Sequence, residues 1–204
     1  MIEKWRSFIA VTPGQAIHAK AREIIRGLAP ECEKAGLKVR WVHPGKIHLT
    51  LRFLGDIPAP LALSLEDALA PIGSIERFRL EYAGVGAFPD AHRPRVVWMG
   101  VRDPDGQLAI MYEKLCGALE DRGIAREKRP FSPHITIGRV RPEGRGDLAP
   151  VLEPLAGEPI GEEPVTRIIL YRSTLHPSGA VHEPLFSVSL GRERSESDHH
   201  GRSS

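Results

Sequence analysis

Cysteine is nearly missing from this chain: Cys32 and Cys116 are the only two, far apart and outside any Cys/His cluster at metal-ligand spacing. That scarcity excludes a disulfide-stapled scaffold and a zinc-ribbon type of site, and it favours a reducing compartment. Long hydrophobic runs are missing as well. The opening MIEKWRSFIAVTPG has only a short apolar stretch, broken by Ser7 and Thr12, so it reads as neither a signal peptide nor a membrane span and predicts a cytoplasmic protein. Excess charge of one sign is absent too. With 28 Lys and Arg against 26 Asp and Glu, the net charge is +2, too small to mark the whole molecule as an electrostatic binder of nucleic acid. No heptad pattern is present, so a coiled-coil assembly is excluded and a monomer is expected. The final residues, 193–204, lack any apolar periodicity and predict a disordered tail, which removes His199 and His200 from consideration as ligands.

What is there suits a single folded unit of residues 1–192. The chain has 204 residues, 41% hydrophobic and 26% charged, enough to bury a substantial core. WRSFIAVTP reads as a first strand, and AIHAKAREIIRGLA as a helix with Ile17, Ala21, Ile24 and Leu28 at helical spacing. A short strand at 38–42, a strand through KIHLTLRFLG and a helix over 58–69 follow. RFRLEYAGVGAF and PRVVWMGV are two more strands, and Leu108, Met111, Leu115 and Leu119 mark a further helix. A strand through HITI, a short helix near 147–155 and a closing hairpin across HPSG complete the chain. Strands in hairpin-like pairs with helices between them predict an α+β fold with antiparallel sheets. The strand-helix-strand-strand unit occurs twice, which predicts a bilobal arrangement: two related antiparallel-sheet lobes, helices on their outer faces, meeting at a central cleft.

Each unit carries the same unusual strand. In HLTL the alternation puts Ile47, Leu49, Leu51 and Phe53 on one face and His48, Thr50 and Arg52 on the other. In HITI, His134 and Thr136 share a face in the same way. With nine His and five Thr in the chain, two such His-x-Thr pairs arise by chance with a probability of roughly 2%, which sets the false-positive risk for a short motif. Two imidazoles facing one another across a cleft can divide acid and base work near neutral pH. Attack on phosphorus needs that division: a water must lose a proton while the departing oxygen gains one. Each threonine hydroxyl can donate to a non-bridging oxygen, and arginines can neutralise the anion. Neither strand has carboxylate or cysteine neighbours that would hold a metal, and no metal or cofactor is called for. Around the second strand, residues 126–145 hold Arg126, Lys128, Arg129, Arg139, Arg141 and Arg145 against Glu127 and Glu143, a basic bias consistent with an anionic substrate or with a solvated surface.

The segments WRSFIAV, KIHLTLRFLG, RPRVVWMGV, RPFSPHITIGR and STLHPSG together resemble the RNA 2',3'-cyclic phosphodiesterases of bacteria and archaea, also known as LigT-like or 2'-5' RNA ligase proteins, within the two-histidine phosphoesterase superfamily. The resemblance spans about residues 5–190. It implies pseudo-twofold symmetry and metal-independent hydrolysis of an RNA-terminal 2',3'-cyclic phosphate to a 2'-phosphomonoester, with 2'-5' ligation as a side activity. Carried onto this chain, it makes His48 and His134 the catalytic pair and Thr50 and Thr136 the phosphate donors. Arg139 would also touch phosphate, which requires the strand to end or bulge at Gly138 because strict alternation sends Arg139 to the core face. Arg129, near the motif but outside the strand, is a second candidate. We assign His134 as the base and His48 as the acid. Where relatives have a tyrosine after the late Ser and Gly, this chain has His182. Phe8, Trp41 and Phe131 are candidates for stacking on a base, with packing as the alternative.

Three other readings fit the same residues. The cleft could bind a nucleotide or an RNA end without turning it over, it could act on a small cyclic nucleotide, or it could be a metal-dependent phosphodiesterase.

Overall fold

The computed structural model describes residues 2–144, 146–176 and 179–191. The predicted tail at 193–204 and Arg145 lie outside the described residues. The elements run β1 (Lys4–Val11), α1 (Gln15–Lys34), β2 (Val39–Trp41), β3 (Leu49–Pro58), α2 (Ala59–Leu69), β4 (Phe78–Phe88), β5 (Val96–Arg102) and α3 (Gln107–Glu120). They continue with β6 (His134–Val140), α4 (Ala149–Leu152), β7 (Pro159–Val165), β8 (Arg167–His176) and β9 (Gly179–Ser189). Among the described residues no helix is long and apolar enough to cross a membrane.

All strand pairs are antiparallel, in the order β7-β4-β5-β6-β3-β1-β8-β9, with β2 added on β6. The path divides into two halves at its middle. β3 and β6, which carry the two His/Thr motifs, pair at a single position, Leu49 opposite Ile135. On one side lie β3, β1, β8 and β9; on the other β6, β5, β4 and β7. A single hydrophobic cluster nevertheless draws on both halves, from Ile9, Leu49 and Leu170 to Val97, Ile135 and Leu80.

The helices tie the halves together by crossing over. α1 follows β1 of the first half but packs against β7 and β2 of the second. The backbone N–H of Gly14, the residue that caps the start of α1, donates to both carboxylate oxygens of Glu163 on β7, at 2.8 and 3.0 Å, placing negative charge where the helix start favours it. Tyr82 on β4 donates to the same carboxylate at 3.0 Å. α3 does the converse: it follows β5 of the second half and packs on α2, which lies against β1, β3 and β9 of the first.

Two features differ from the sequence expectation. α1 extends to Lys34 through Pro30, because the buried face of Ile17, Ala21 and Leu28 continues to Cys32 one turn later. β7 is a ninth strand where the sequence suggested only a Pro/Gly-rich passage. Its PIGEEPV is largely exposed and pairs only with β4, and an edge strand with one ladder tolerates prolines and charges that a central strand would not.

Candidate active site

The aliphatic residues of the motifs set the direction of the polar ones. Leu49, Leu51, Ile135 and Ile137 are all buried, each stabilising the fold by about 1.5–3 kcal/mol. A one-residue slip of either strand would exchange that burial for His and Thr, so the register is firmly held. His48, Thr50, His134 and Thr136 consequently face a common cleft of about 620 Å³, which Arg139 also lines.

Both strands then break their alternation at the same point. In β3, Thr50 pairs with Ala10 and Arg52 with Ile9, so Leu51 is an extra residue. In β6, Thr136 pairs with Trp98 and Gly138 with Val97, so Ile137 is extra. Each bulge falls on the fourth motif residue and reverses the faces beyond it. Arg139 thereby turns to the cleft, as a bulge beside Gly138 requires. Gly138 itself is needed for a second reason: a Cβ there would come within 2.7 Å of Val39 and 2.9 Å of Trp41 on β2.

The same bulge in β3 overturns the sequence reading of its second half. Arg52, expected on the polar face, is 1% exposed, whereas Phe53, expected in the core, is 42% exposed and lines the cleft. The Arg52 guanidinium donates to the Ala125 carbonyl at 2.6 Å and lies 3.2 Å from the Glu127 carboxylate. Arg6 covers the Phe53 ring at 4.6 Å.

The two imidazoles are oriented by equivalent contacts. His48 Nδ1 lies 3.0 Å from the Lys46 carbonyl, and His134 Nδ1 lies 2.7 Å from the Ser132 carbonyl, in each case two residues upstream. A carbonyl only accepts, so both rings carry their proton on Nδ1 and keep Nε2 for chemistry. Phe88 stands edge-on to His134 at 4.9 Å. His48 has a richer setting: Phe8 is stacked on its face at 4.8 Å and His182 stands edge-on at 5.4 Å. Burial, aided by the Arg139 charge, holds His48 below the ordinary imidazole range against the opposing pull of the Lys46 carbonyl. His182 is pushed further, to about 4, by burial and then by His48 and Lys46.

That depression has a consequence for stability. A histidine with a folded pKa below its unfolded value takes its proton preferentially in the unfolded chain. The neutral His182 therefore stabilises the fold fully above about pH 6.5, its unfolded value, and that contribution is lost as pH falls toward about 4. We expect His182→Phe, which keeps the aromatic edge and removes the titration, to flatten the fall of the urea midpoint between those two pH values. A slope equal to that of the parent would refute the assignment.

The remaining candidates divide. Trp41 lines the cleft; Phe8 does too, although as a 4% exposed wall beneath His48. Phe131 stacks on Tyr112 at 4.2 Å and is not among the cleft residues. Arg129 is exposed and does not line the cleft either. Arg126 is engaged elsewhere, with Glu113 at 2.6 Å and Glu120 at 3.0 Å. Among the described residues of the basic stretch, only Arg139 lines the cleft with the motifs. The cations that accompany Arg139 come instead from β1, β2 and the turn before β3: Arg6, Arg40 and Lys46. Nothing in the local sequence announced Arg6 and Arg40. Among the described residues, the cleft lining contains no aspartate or glutamate. Among the described residues, no group of three or more His, Cys, Asp or Glu side chains converges as a metal site.

The family described as LigT like Phosphoesterase matches residues 11–98 and 101–182. A relative from Aquifex aeolicus named RNA 2',3'-cyclic phosphodiesterase is 31% identical, over 91% of this chain and 97% of its own length. One of the same name from Thermotoga maritima is 34% identical, over 89% of this chain and 93% of its own. Among solved structures, TT0787 of Thermus thermophilus superposes with a TM-score of 0.73 at 29% identity, covering 91% of this chain and 97% of that one. E. coli LigT in complex with 3'-AMP gives 0.70 at 27% identity, covering 92% and 99%. With two bulged His/Thr strands crossing at one residue pair and a match that spans both motifs, the chain belongs to the LigT-like phosphoesterase family.

Proposed function

We propose that this protein hydrolyses a 2',3'-cyclic phosphate at an RNA 3'-end to a 2'-phosphomonoester, without a metal ion or cofactor. The observation that carries the proposal is the paired setting of His48 and His134. Each has Nδ1 tied to a carbonyl two residues upstream and lines, beside its threonine, one cationic cleft without carboxylates. The names of the relatives supply the substrate class.

In this mechanism one imidazole takes a proton from water as it attacks phosphorus. The bond from phosphorus to the 3'-oxygen breaks, and the other imidazole gives that oxygen a proton. Thr50, Thr136 and Arg139 donate to the non-bridging oxygens, where charge accumulates. Burial favours the neutral form of His48, which suits it to be the base and leaves the part of the acid to the other histidine of the pair, His134. This reverses the assignment made from sequence, where the symmetric motif gave no basis for choosing. With a 5'-hydroxyl in place of water, the same step forms a 2'-5' linkage.

The test is incubation with an oligonucleotide ending in a 2',3'-cyclic phosphate, chelator present. The expected product is the 2'-phosphomonoester. Binding without turnover would favour an RNA-end-binding module, and loss of activity in chelator would favour a metal-dependent enzyme. We further propose that it acts as a monomer, and that it works in the cytosol, the latter supported by two cysteines that are both buried and unpaired.

A further inference from the structure

The cleft is richer in positive charge than the reaction needs. A cyclic phosphodiester carries one negative charge, yet Arg6, Arg40, Lys46 and Arg139 all line the cavity and, among the described residues, no acidic side chain does. Arg6 is occupied by the Phe53 ring, and Arg139 lies close enough to His48 to depress it. Arg40 has neither employment. It sits on β2 directly opposite Arg139 on β6, both exposed, and among the described residues neither forms an ion pair. Like charges at opposed positions in an antiparallel pair cost stability unless an anion lies between them.

Arg40 also reaches across to the other half of the sheet. Its guanidinium reaches over the start of β9, in the other half of the sheet, where a Cβ on Gly179 would stand 3.0 Å from the nearer nitrogen. The absence of a side chain at Gly179 leaves room for the guanidinium there, on the cleft lining that both share. Lys46 lines the same cleft, close enough to His182 to lower it.

We propose that Arg40, with Lys46, forms a second phosphate site that takes the 5'-phosphate of the terminal nucleotide, so that the protein favours the end of an RNA chain over a free cyclic mononucleotide. This rests on the hydrolytic reading above and extends it from one phosphate to two. An arginine suits the role because its planar fork binds a phosphate through two parallel hydrogen bonds.

The experiment compares three substrates: a 2',3'-cyclic nucleoside monophosphate, the same compound with a 5'-phosphate, and a dinucleotide ending in the cyclic phosphate. In the parent, kcat/KM for the dinucleotide should exceed that for the plain cyclic nucleotide by about tenfold or more, the worth of a hydrogen bond to a charged group. Arg40→Gln should reduce that ratio toward one and flatten the salt dependence of dinucleotide turnover by a slope of about 0.7, one single-stranded phosphate contact. Lys46→Gln should reduce the ratio in the same direction. An unchanged ratio in Arg40→Gln overturns the proposal, whether both substrates suffer equally or neither does. A gain from the 5'-phosphorylated nucleotide without one from the dinucleotide overturns the RNA-chain form of it. Should the parent turn over none of the three, hydrolysis itself fails as the reading. Calorimetric binding of the dinucleotide against the plain cyclic nucleotide, in parent and Arg40→Gln, still decides the second site.

Discussion

His48→Ala and His134→Ala should each lower kcat on a cyclic-phosphate-ended oligonucleotide by about 10²–10⁴-fold, the usual span for removing a positioned acid or base. The two losses should differ in kind. A substrate with sulfur in place of the leaving 3'-oxygen needs no proton from the enzyme, because a thiolate departs readily. It should restore most of the activity of the variant that lacks the acid and none of that of the variant that lacks the base. With His48 depressed by burial and by Arg139, rescue is expected for His134→Ala. Rescue of His48→Ala alone would return the assignment to the one drawn from sequence, and rescue of neither would remove the division of labour altogether.

Arg52→Ala should lower the stability of the fold by about 2–5 kcal/mol, in the range of other large-to-small changes at buried sites, read as a shift of the urea midpoint. The residue is 1% exposed, so its removal leaves a cavity and deprives the Ala125 carbonyl of its donor at 2.6 Å. Arg52→Met fills the cavity without the donor and should cost less, about 1–3 kcal/mol. Glu127→Gln should cost under about 1 kcal/mol, because that carboxylate is half exposed and solvent already supports it. The arginine also has a reach toward function. It follows the first motif directly and holds the loop that leads to Ser132, whose carbonyl orients His134. A loss of kcat in Arg52→Met at a temperature where the protein stays folded would register that link. Equal stability of Arg52→Ala and the parent would show that the buried guanidinium contributes nothing.

The two His/Thr strands were legible because their signal is local: an alternation of four residues, repeated, with aliphatic neighbours that had to be buried. The faces beyond them were legible only in part. Gly138 gave notice of a bulge in β6, since glycine so often marks one, but Leu51 and Arg52 carry no such mark, and alternation continued through them put Arg52 and Phe53 on the wrong sides. β7 escaped because an edge strand needs little apolar pattern. Arg6 and Arg40 reach the cleft through pairings between distant segments, β1 with β3 and β2 with β6, which no short window of sequence can reveal. His182 stood out only as a departure from the family's tyrosine; its place against His48 depends on β9 lying beside β8, and β8 beside β1.

The crossed helices and the pairing of β1 with β8 bear on how the molecule is made. Ser7 finds its partner in Arg172, and α1 packs against β7, far later in the sequence. The half of the sheet that holds the first motif joins β1 to the distant β8 and β9, so it cannot close until that hairpin has been made. Maturation should therefore be slow for a chain of this size, dominated by distant pairings. The nascent protein would gain its catalytic cleft in one late step, when the final strands dock.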